Sequence, residues 1–433
     1  MVHQRLYPEA RTRNVDYVCP VRRPTSAGIC ACFAGSLLFS SCAERPDDPI
    51  IAAATTVIDV VAPPRSVIRS VTLAVEVGAE GDSRAFGGIG GVAAAASGDF
   101  YVQDFLSDSV FAYRRDGTPI RSFGGKGEGP GELDMPTGVV VTGDTVVVDD
   151  VRFHAFRVDG EYLATSRNSA VIPYMNLLGA GDSGLVMARM RRGEVRSNSR
   201  LDSIVFYSFR LPGTIRPIFS IPERYFVYEK YSSYPTALRQ GLLFTVHANG
   251  EMALAVGDSF HINVYGPGGD LRRTYIAAVP RTPVSDTDVK DFRRSIEAYA
   301  LMRGRITITA PNFAKIGPIA TDQSVIGALV GSDTGDLLVQ MFSASERPYD
   351  RFRYDASSRW LLLREDGSAK MTFDLPRTFV PEVVRACSVY GVYTNGDNVQ
   401  SVRRYDLAPV CRTREPATSS STRPEAAPRL PAT

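Results

Sequence analysis

The chain has 433 residues, 44% of them hydrophobic and 22% charged, with Lys+Arg 49 against Asp+Glu 47 and a net charge of +2. Five Arg precede residue 42 against only Glu9 and Asp16, so the remainder carries a net charge of −1. That balance supplies no general field for nucleic acid or an anionic membrane surface, and nucleic acid is set aside as a partner.

From the start, residues 1–26 are polar and irregular, with Arg22-Arg23 close to an apolar run, Ala27 to Phe39, that ends at Ser40-Ser41-Cys42. The run is too short to span a bilayer. A basic region, a short apolar core and small residues before a cleavage point read as an export signal. With a cysteine at its end, 1–41 resembles a bacterial lipoprotein signal, which implies lipidation of Cys42. The usual leucine three positions before the cysteine is Phe39 here, with Leu38 one further back. A plain secretory signal with an incidental cysteine is the alternative. Acyl chains on Cys42 would hold the protein to a membrane by hydrocarbon burial.

Residues 42–69 are rich in Pro, Asp and Ala and read as a flexible tether, and 412–433 as a disordered tail. Of the six cysteines, Cys387 and Cys411 alone lie past Cys42. In an oxidising compartment such a pair is expected to be bridged, tying the chain end to the last repeat, the alternative being two unpaired thiols.

Between the tails lies one repeated unit. Gly98-Asp99, Phe100–Val102, Val110–Tyr113 and the turn Asp116-Gly117 are matched by Gly143-Asp144, Val146–Val148, Phe153–Phe156 and Asp159-Gly160, the two Asp-Gly turns lying 43 residues apart. That is the period of a four-stranded propeller blade. Strands are predicted at Gly91–Ala96, Phe100–Gln103, Val110–Arg114 and Ile120–Phe123, then Thr137–Val141, Thr145–Asp149, Phe153–Val158 and Tyr162–Ser166. A looser third blade takes Met175–Leu178, Gly184–Arg189, Ile204–Leu211 and Ile215–Ile221. The fourth takes Leu243–His247, Met252–Val256, Phe260–Tyr265 and Leu271–Ile276, and the fifth Val325–Val330, Leu337–Met341, Arg359–Leu363 and Lys370–Phe373. The last shows only Val380–Val384, Cys387–Tyr393 and Val399–Tyr405. Its missing strand is predicted at Val71–Val77, which alternates as a half-buried strand should and closes the ring without an open edge.

The fold class is therefore all-β, a six-bladed propeller over 70–411. One helix interrupts it at 285–303: Ser285 caps the start with Asp288 three residues on, Val289, Phe292, Ile296 and Tyr299 share a face, and Gly304 stops it. It is read as a lid over one face or as padding on a sheet edge.

These repeats, the loop Phe123-Gly124-Gly125-Lys126-Gly127-Glu128-Gly129-Pro130-Gly131-Glu132-Leu133 and the late segment Val399–Tyr405 resemble the bacterial six-bladed β-propeller lipoproteins, relatives of the NHL-repeat propellers. The likeness covers roughly residues 73–407. It implies a six-bladed ring in the cell envelope, lipid-anchored at the outer membrane, and brings no catalytic residues, since that family has no assigned common activity.

No catalytic motif and no cofactor fingerprint appear. The glycine-rich loop lacks a Gly-Lys-Ser/Thr ending and reads as a joint between blades. His154, His247 and His261 lack zinc-site spacing. Asp104, Asp108 and Asp149-Asp150 offer hard oxygen ligands for calcium, but equally suit turns, and no metal is assigned. Arg189, Arg191, Arg192, Arg196 and Arg200 suit a solvated loop better than an anionic polymer. Tyr225, Phe226, Tyr228, Tyr231 and Tyr234, on a long segment read as non-strand, are the candidate ligand-binding residues, offering stacking surfaces to a sugar or a partner protein.

The reading is a monomeric, membrane-tethered module that binds an envelope protein or glycan, more plausibly non-enzymatic. The alternative is a calcium-dependent lactonase or phosphotriesterase-like hydrolase with carboxylates converging on the channel.

Overall fold

The computed structural model describes residues 56–60, 68–82, 84–150, 152–166, 176–181, 184–191, 195–196, 199–200, 202–209, 215–223, 226–229, 232–235, 242–290, 320–341 and 357–407. Six antiparallel sheets form a ring in the manner of a propeller, with the innermost strands Ile89–Ala94, Gly138–Thr142, Asn176–Gly181, Leu242–Val246, Ile326–Gly331 and Phe379–Arg385 each contacting the next all the way round. Strand order follows the chain from the inside out, except that the outermost strands of the last three blades come from the N-terminal segment. The protein is a six-bladed β-propeller.

Small residues line the axis, and larger ones fill the gaps between blades. Six buried clusters correspond to the six blade interfaces, from Ala93, Tyr101, Val139 and Phe156 between the first two blades to Val92, Phe100, Tyr390 and Val402 between the last and the first. Tyrosines pin neighbours together: the Tyr101 hydroxyl donates to the Val158 carbonyl at 2.9 Å and that of Tyr390 to Gly98 at 2.9 Å. Burial, with Asp99 and Asp159 adding to it, pushes the Tyr101 phenol up to about 12.

The Asp-Gly turns work as their spacing suggests. In the first two blades Gly117 and Gly160 take φ of 88° and 85°, a region costly for residues with a Cβ, while Asp116 and Asp159 accept the amides of Thr118 and Glu161 at 2.9 and 3.0 Å.

Blade six is completed as predicted: Thr72–Val77 pairs antiparallel with Gln400–Asp406. The tether expected over 42–69 is more structured than its composition indicates. Thr56–Asp59 adds parallel to Leu271–Ala277 on blade four, and Ile68–Arg69 adds parallel to Ala369–Pro376 on blade five. Val60 is buried beside Ile58 in the core between those blades. Outer strands offer unpaired backbone groups, so even an irregular segment gains hydrogen bonds there.

The helix starts where its cap predicts. Ser285 Oγ accepts the Asp288 amide at 3.2 Å, and the Asp288 carboxylate accepts the Ser285 amide at 2.8 Å, a reciprocal cap at the head of the helical residues 286–290. The remainder of 285–303 lies outside the described residues.

Because strands alternate in direction, every second-to-third loop and every link between blades emerges on one face, called here the connecting face; first-to-second and third-to-fourth turns emerge on the other, the turn face. A domain beginning at residue 70 should unfold cooperatively, whereas one beginning at residue 79 loses the outer strand of blade six together with buried Val77. We expect the second to be less stable by on the order of 3 kcal/mol or more, read as a lower urea midpoint with aggregation through the bared Gln400–Asp406 edge.

Candidate functional site

The six inner strands enclose a channel of about 250 Å³, lined by residues from all six blades, among them Gly91, Val140, Ala180, Val246, Gly331 and Glu382. Inner strands are edge strands, so their axis-facing backbone groups have no ladder partner and give the lumen a polar backbone skin between small apolar side chains. Three charged side chains join the lining: Glu382, Asp333 and Arg385.

Glu382 owes its place to a bulge. The inner strand of blade six slips register between Pro381 and Val383, and those of blades one, three and five slip at matching positions, between Ile89 and Gly91, Leu177 and Gly179, and Ile326 and Ala328. The extra residue is Gly90, Leu178 or Gly327 in those three blades and glutamate in the sixth. Such bulges re-aim a side chain and recur beside functional sites. One carboxylate oxygen, Oε2, accepts the Val92 amide of blade one at 2.6 Å. The other has no partner among the described residues.

The Glu382 carboxyl touches the lumen and is accessible there, yet protein surrounds it. Loss of bulk water pushes its pKa up to about 7, and the Val92 hydrogen bond opposes that only in part. Its side chain is exposed to the lumen, and water there works against that push.

At the turn-face end Arg385 Nε lies 3.9 Å from Asp333, whose carboxylate also accepts the Ala386 amide at 3.1 Å. Nearby, His247 is fully enclosed. Burial, then the Arg273 charge, lowers its imidazole to about 4, while Glu251 works the other way. Glu251 itself is pushed up by burial but held below the usual carboxylate range by Arg273, 2.6 Å away, and Arg272, 2.9 Å away.

The carboxylates named as calcium candidates are committed to backbone amides. Asp104 accepts those of Gly87, Gly88 and Leu106, Asp108 that of Met135, and Asp150 that of Asp134. Asp149 is buried in the second strand of blade two. Among the described residues no three His, Cys, Asp or Glu side chains group as a metal site. His154 is buried in blade two, its Nδ1 3.0 Å from Thr165 Oγ1 and Nε2 3.4 Å from Asp150, while His247 and His261 belong to blade four. The glycine-rich loop closes on itself, Leu133 donating to the Gly125 carbonyl at 2.8 Å and Gly129 to Glu132 at 2.8 Å, which leaves the latter amide no room for an anion.

The aromatic segment is not the irregular loop its sequence implies. Phe226–Glu229 and Ser232–Pro235 form a short antiparallel hairpin that pairs Val227 with Tyr234 and Tyr228 with Ser233. Tyr225 and Tyr231 lie outside the described residues, so the structure brings only Phe226, Tyr228 and Tyr234 onto one element. In the blade-three insertion, Val195–Arg196 pairs with Ser199–Arg200, and this hairpin contacts Phe226–Glu229; Arg189 and Arg191 are on Gly184–Arg191, and Arg192 is outside the described residues. Cys387 is half-buried, and its carbonyl accepts the Leu407 amide at 2.9 Å, but Cys411 is outside the described residues, as is Cys42.

No family model matches the chain, and no curated protein matches it. Among solved structures it is similar to a protein described as exported from Bacteroides fragilis, at 10% identity over 81% of this chain and 99% of that one, TM-score 0.44. It is also similar to a member of the DUF4221 family from Bacteroides vulgatus, at 9% identity over 78% and 98%, TM-score 0.43. A virginiamycin B lyase from Staphylococcus aureus aligns at 9% identity over 78% and 100%, TM-score 0.40.

The two perturbed groups give opposite pH slopes. A glutamate raised from its ordinary 4.5 to about 7 holds its proton longer in the fold, so its stabilising contribution is full below 4.5 and lost as pH rises through 7. A histidine lowered from 6.5 to about 4 contributes fully above 6.5 and loses that contribution as pH falls through 4. Urea midpoints measured from pH 4 to pH 8.5 should fall at both ends, with Glu382→Gln flattening the neutral limb and His247→Gln the acid limb.

Proposed function

We propose that the protein is an exported, lipid-anchored propeller whose connecting face holds an envelope protein or glycan. One observation carries this reading: the elaboration of the ring is gathered on that face. The glycine-rich loop, the Arg-bearing hairpin, the aromatic hairpin and the capped helix all sit in second-to-third loops or blade links. The turn face has short turns such as Thr142–Thr145 and Arg385–Ser388.

Four of the nine exposed large apolar side chains among the described residues lie at the connecting face, the other five being on outer strands. Phe105 and Leu106, 44% and 66% exposed, lie in the second-to-third loop of blade one; Met135, 70% exposed, follows the glycine-rich loop; Val380, 58% exposed, is the second residue of the inner strand of blade six. Large apolar groups gathered near one mouth mark an interaction surface better than scattered ones. The aromatic hairpin supplies the kind of residue enriched in interface cores.

Export and anchoring rest on the Ala27–Cys42 pattern. The calcium-dependent hydrolase is not favoured, because one carboxylate reaches mid-channel and Asp104, Asp108 and Asp150 are turned to backbone amides.

Cys42→Ser should lose radiolabelled palmitate incorporation and move the protein from the membrane to the soluble fraction; unchanged fractionation would refute anchoring. For the binding face, the combined Phe105→Ser, Leu106→Ser and Met135→Ser variant and a second variant replacing Tyr225, Phe226, Tyr228, Tyr231 and Tyr234 by Ala should lose ligand in glycan-array and envelope cross-linking assays by about tenfold or more. The turn-face control Asp144→Lys should keep it. Capture that survives both connecting-face variants would sink the reading.

A further inference from the structure

The channel contains a charged group for which the ring itself gives no sufficient reason. Mid-channel Glu382 is needed by its neighbours only as a hydrogen-bond acceptor for the Val92 amide, a task a neutral amide oxygen performs equally well. Its second oxygen is open to the lumen and without partner among the described residues. The bulge position that presents it carries glycine in blades one and five and leucine in blade three.

We propose that the channel is a binding site for a primary alkylammonium group, held by the Glu382 carboxylate. Charge, shape and donors agree on that class. A lone carboxylate that faces the lumen with one oxygen open takes a cation as its charge-assisted partner. A divalent metal ion would ask for several hard oxygen side chains, and Glu382 is the one such carboxylate at this level. An ammonium instead presents three donors, which one carboxylate oxygen and axis-facing backbone carbonyls can share. Half-buried Val140 and Val246 give a slender alkyl stem apolar walls. The volume of about 250 Å³ lies below the roughly 300–1,000 Å³ of sites for drug-sized ligands, so the occupant is small or is the tip of something larger.

Approach is from the connecting face. The turn-face end carries Arg385, whose positive charge is only loosely matched by Asp333 at 3.9 Å, whereas Gly90, Gly91, Thr137 and Gly138 line the other end. The charged side chains facing the lumen are therefore Glu382, Asp333 and Arg385, and Glu382 alone stands away from the mouth. The ammonium can belong to a free amine or to a lysine side chain of a bound protein; the chemistry at Glu382 is the same.

The test is calorimetric titration of the whole mature domain with n-butylammonium, with Nα-acetyl-lysine amide as a second arm and butyrate as the anionic control. Saturable binding at pH 8 of either cation is expected, with none for butyrate. The ammonium stays protonated throughout, with a pKa near ~10.4, so lowering the pH to 5.5 reports Glu382 and should weaken binding about tenfold or more. Glu382→Gln should remove it at both pH values. If that variant fails to fold, the wild-type pH series still decides, together with the Val92 amide resonance, which should move on saturation. Preference for the lysine derivative assigns the site to a protein side chain, preference for butylammonium to a free amine. No saturable binding, binding indifferent to pH, or binding kept in folded Glu382→Gln overturns the proposal.

Discussion

Everything in this molecule depends on closing the ring between its last blade and its first. Five interfaces join blades that follow one another along the chain, but the sixth must bring residues near 90–115 against residues near 380–405. Loop closure over that distance is entropically costly and has to be offset at the seam itself. The contacts there are correspondingly dense. Tyr390 reaches the Gly98 carbonyl, Ile89 donates to Gln400 at 2.9 Å, Arg115 meets Ser388 and Asp406, and Arg404 donates to the Arg115 carbonyl. Beneath them Phe100 stacks on Tyr113 with centroids 5.2 Å apart and tilts against Tyr390 at 5.6 Å. The N-terminal strand adds a second tie, since Thr72–Val77 is held in blade six while the chain continues directly into blade one.

That closure also explains why the segment before residue 72 is ordered where it is. Strands at 56–59, 68–69 and 72–77 lie on the outer edges of blades four, five and six in turn. The first two additions reinforce blades four and five, between which a long insertion interrupts the chain, and the third completes the seam blade itself. Ile58 even fills the space over Gly367, where a Cβ would meet it at 2.1 Å. The N-terminal part of the chain is thus part of the ring's packing before it becomes its closing strand.

The ring was legible because its repeat is written in local chemistry. Asp116-Gly117, Asp159-Gly160 and Asp366-Gly367 each need a carboxylate acceptor and a left-handed glycine, and the strands between them alternate or run apolar as burial demands. Ser285 and Asp288 were readable for the same reason. The outer strands at 56–59 and 68–69 were not, because a short parallel addition is stabilised by the edge it meets and leaves no period in its own residues. The hairpin at 226–235 has no Asn-Gly or Asp-Gly turn to announce it. Glu382 fell within a predicted inner strand, Val380–Val384, but a charge there shows its direction only once the bulge before Val383 is known. Its one sequence signal was a lone carboxylate inside an otherwise apolar inner strand.

A propeller axis is a poor place for a charge. The inner strands elsewhere follow the expected rule of small or apolar residues, and the buried ionised groups outside the channel are compensated, Glu251 by two arginines and Asp336 by Lys370 at 2.7 Å. Glu382 breaks the first rule: it is charged, and although it is exposed to the lumen no cation pairs with it among the described residues. Its hydrogen bond to Val92 links blade six to blade one, yet glutamine at that position would make the same link without a charge. Stability of the seam therefore accounts for an oxygen at this point but not for a negative charge. Local conflicts that the rest of a fold leaves uncompensated are where function is to be sought, and here that conflict sits on the axis of a ring whose every long insertion gathers at one end.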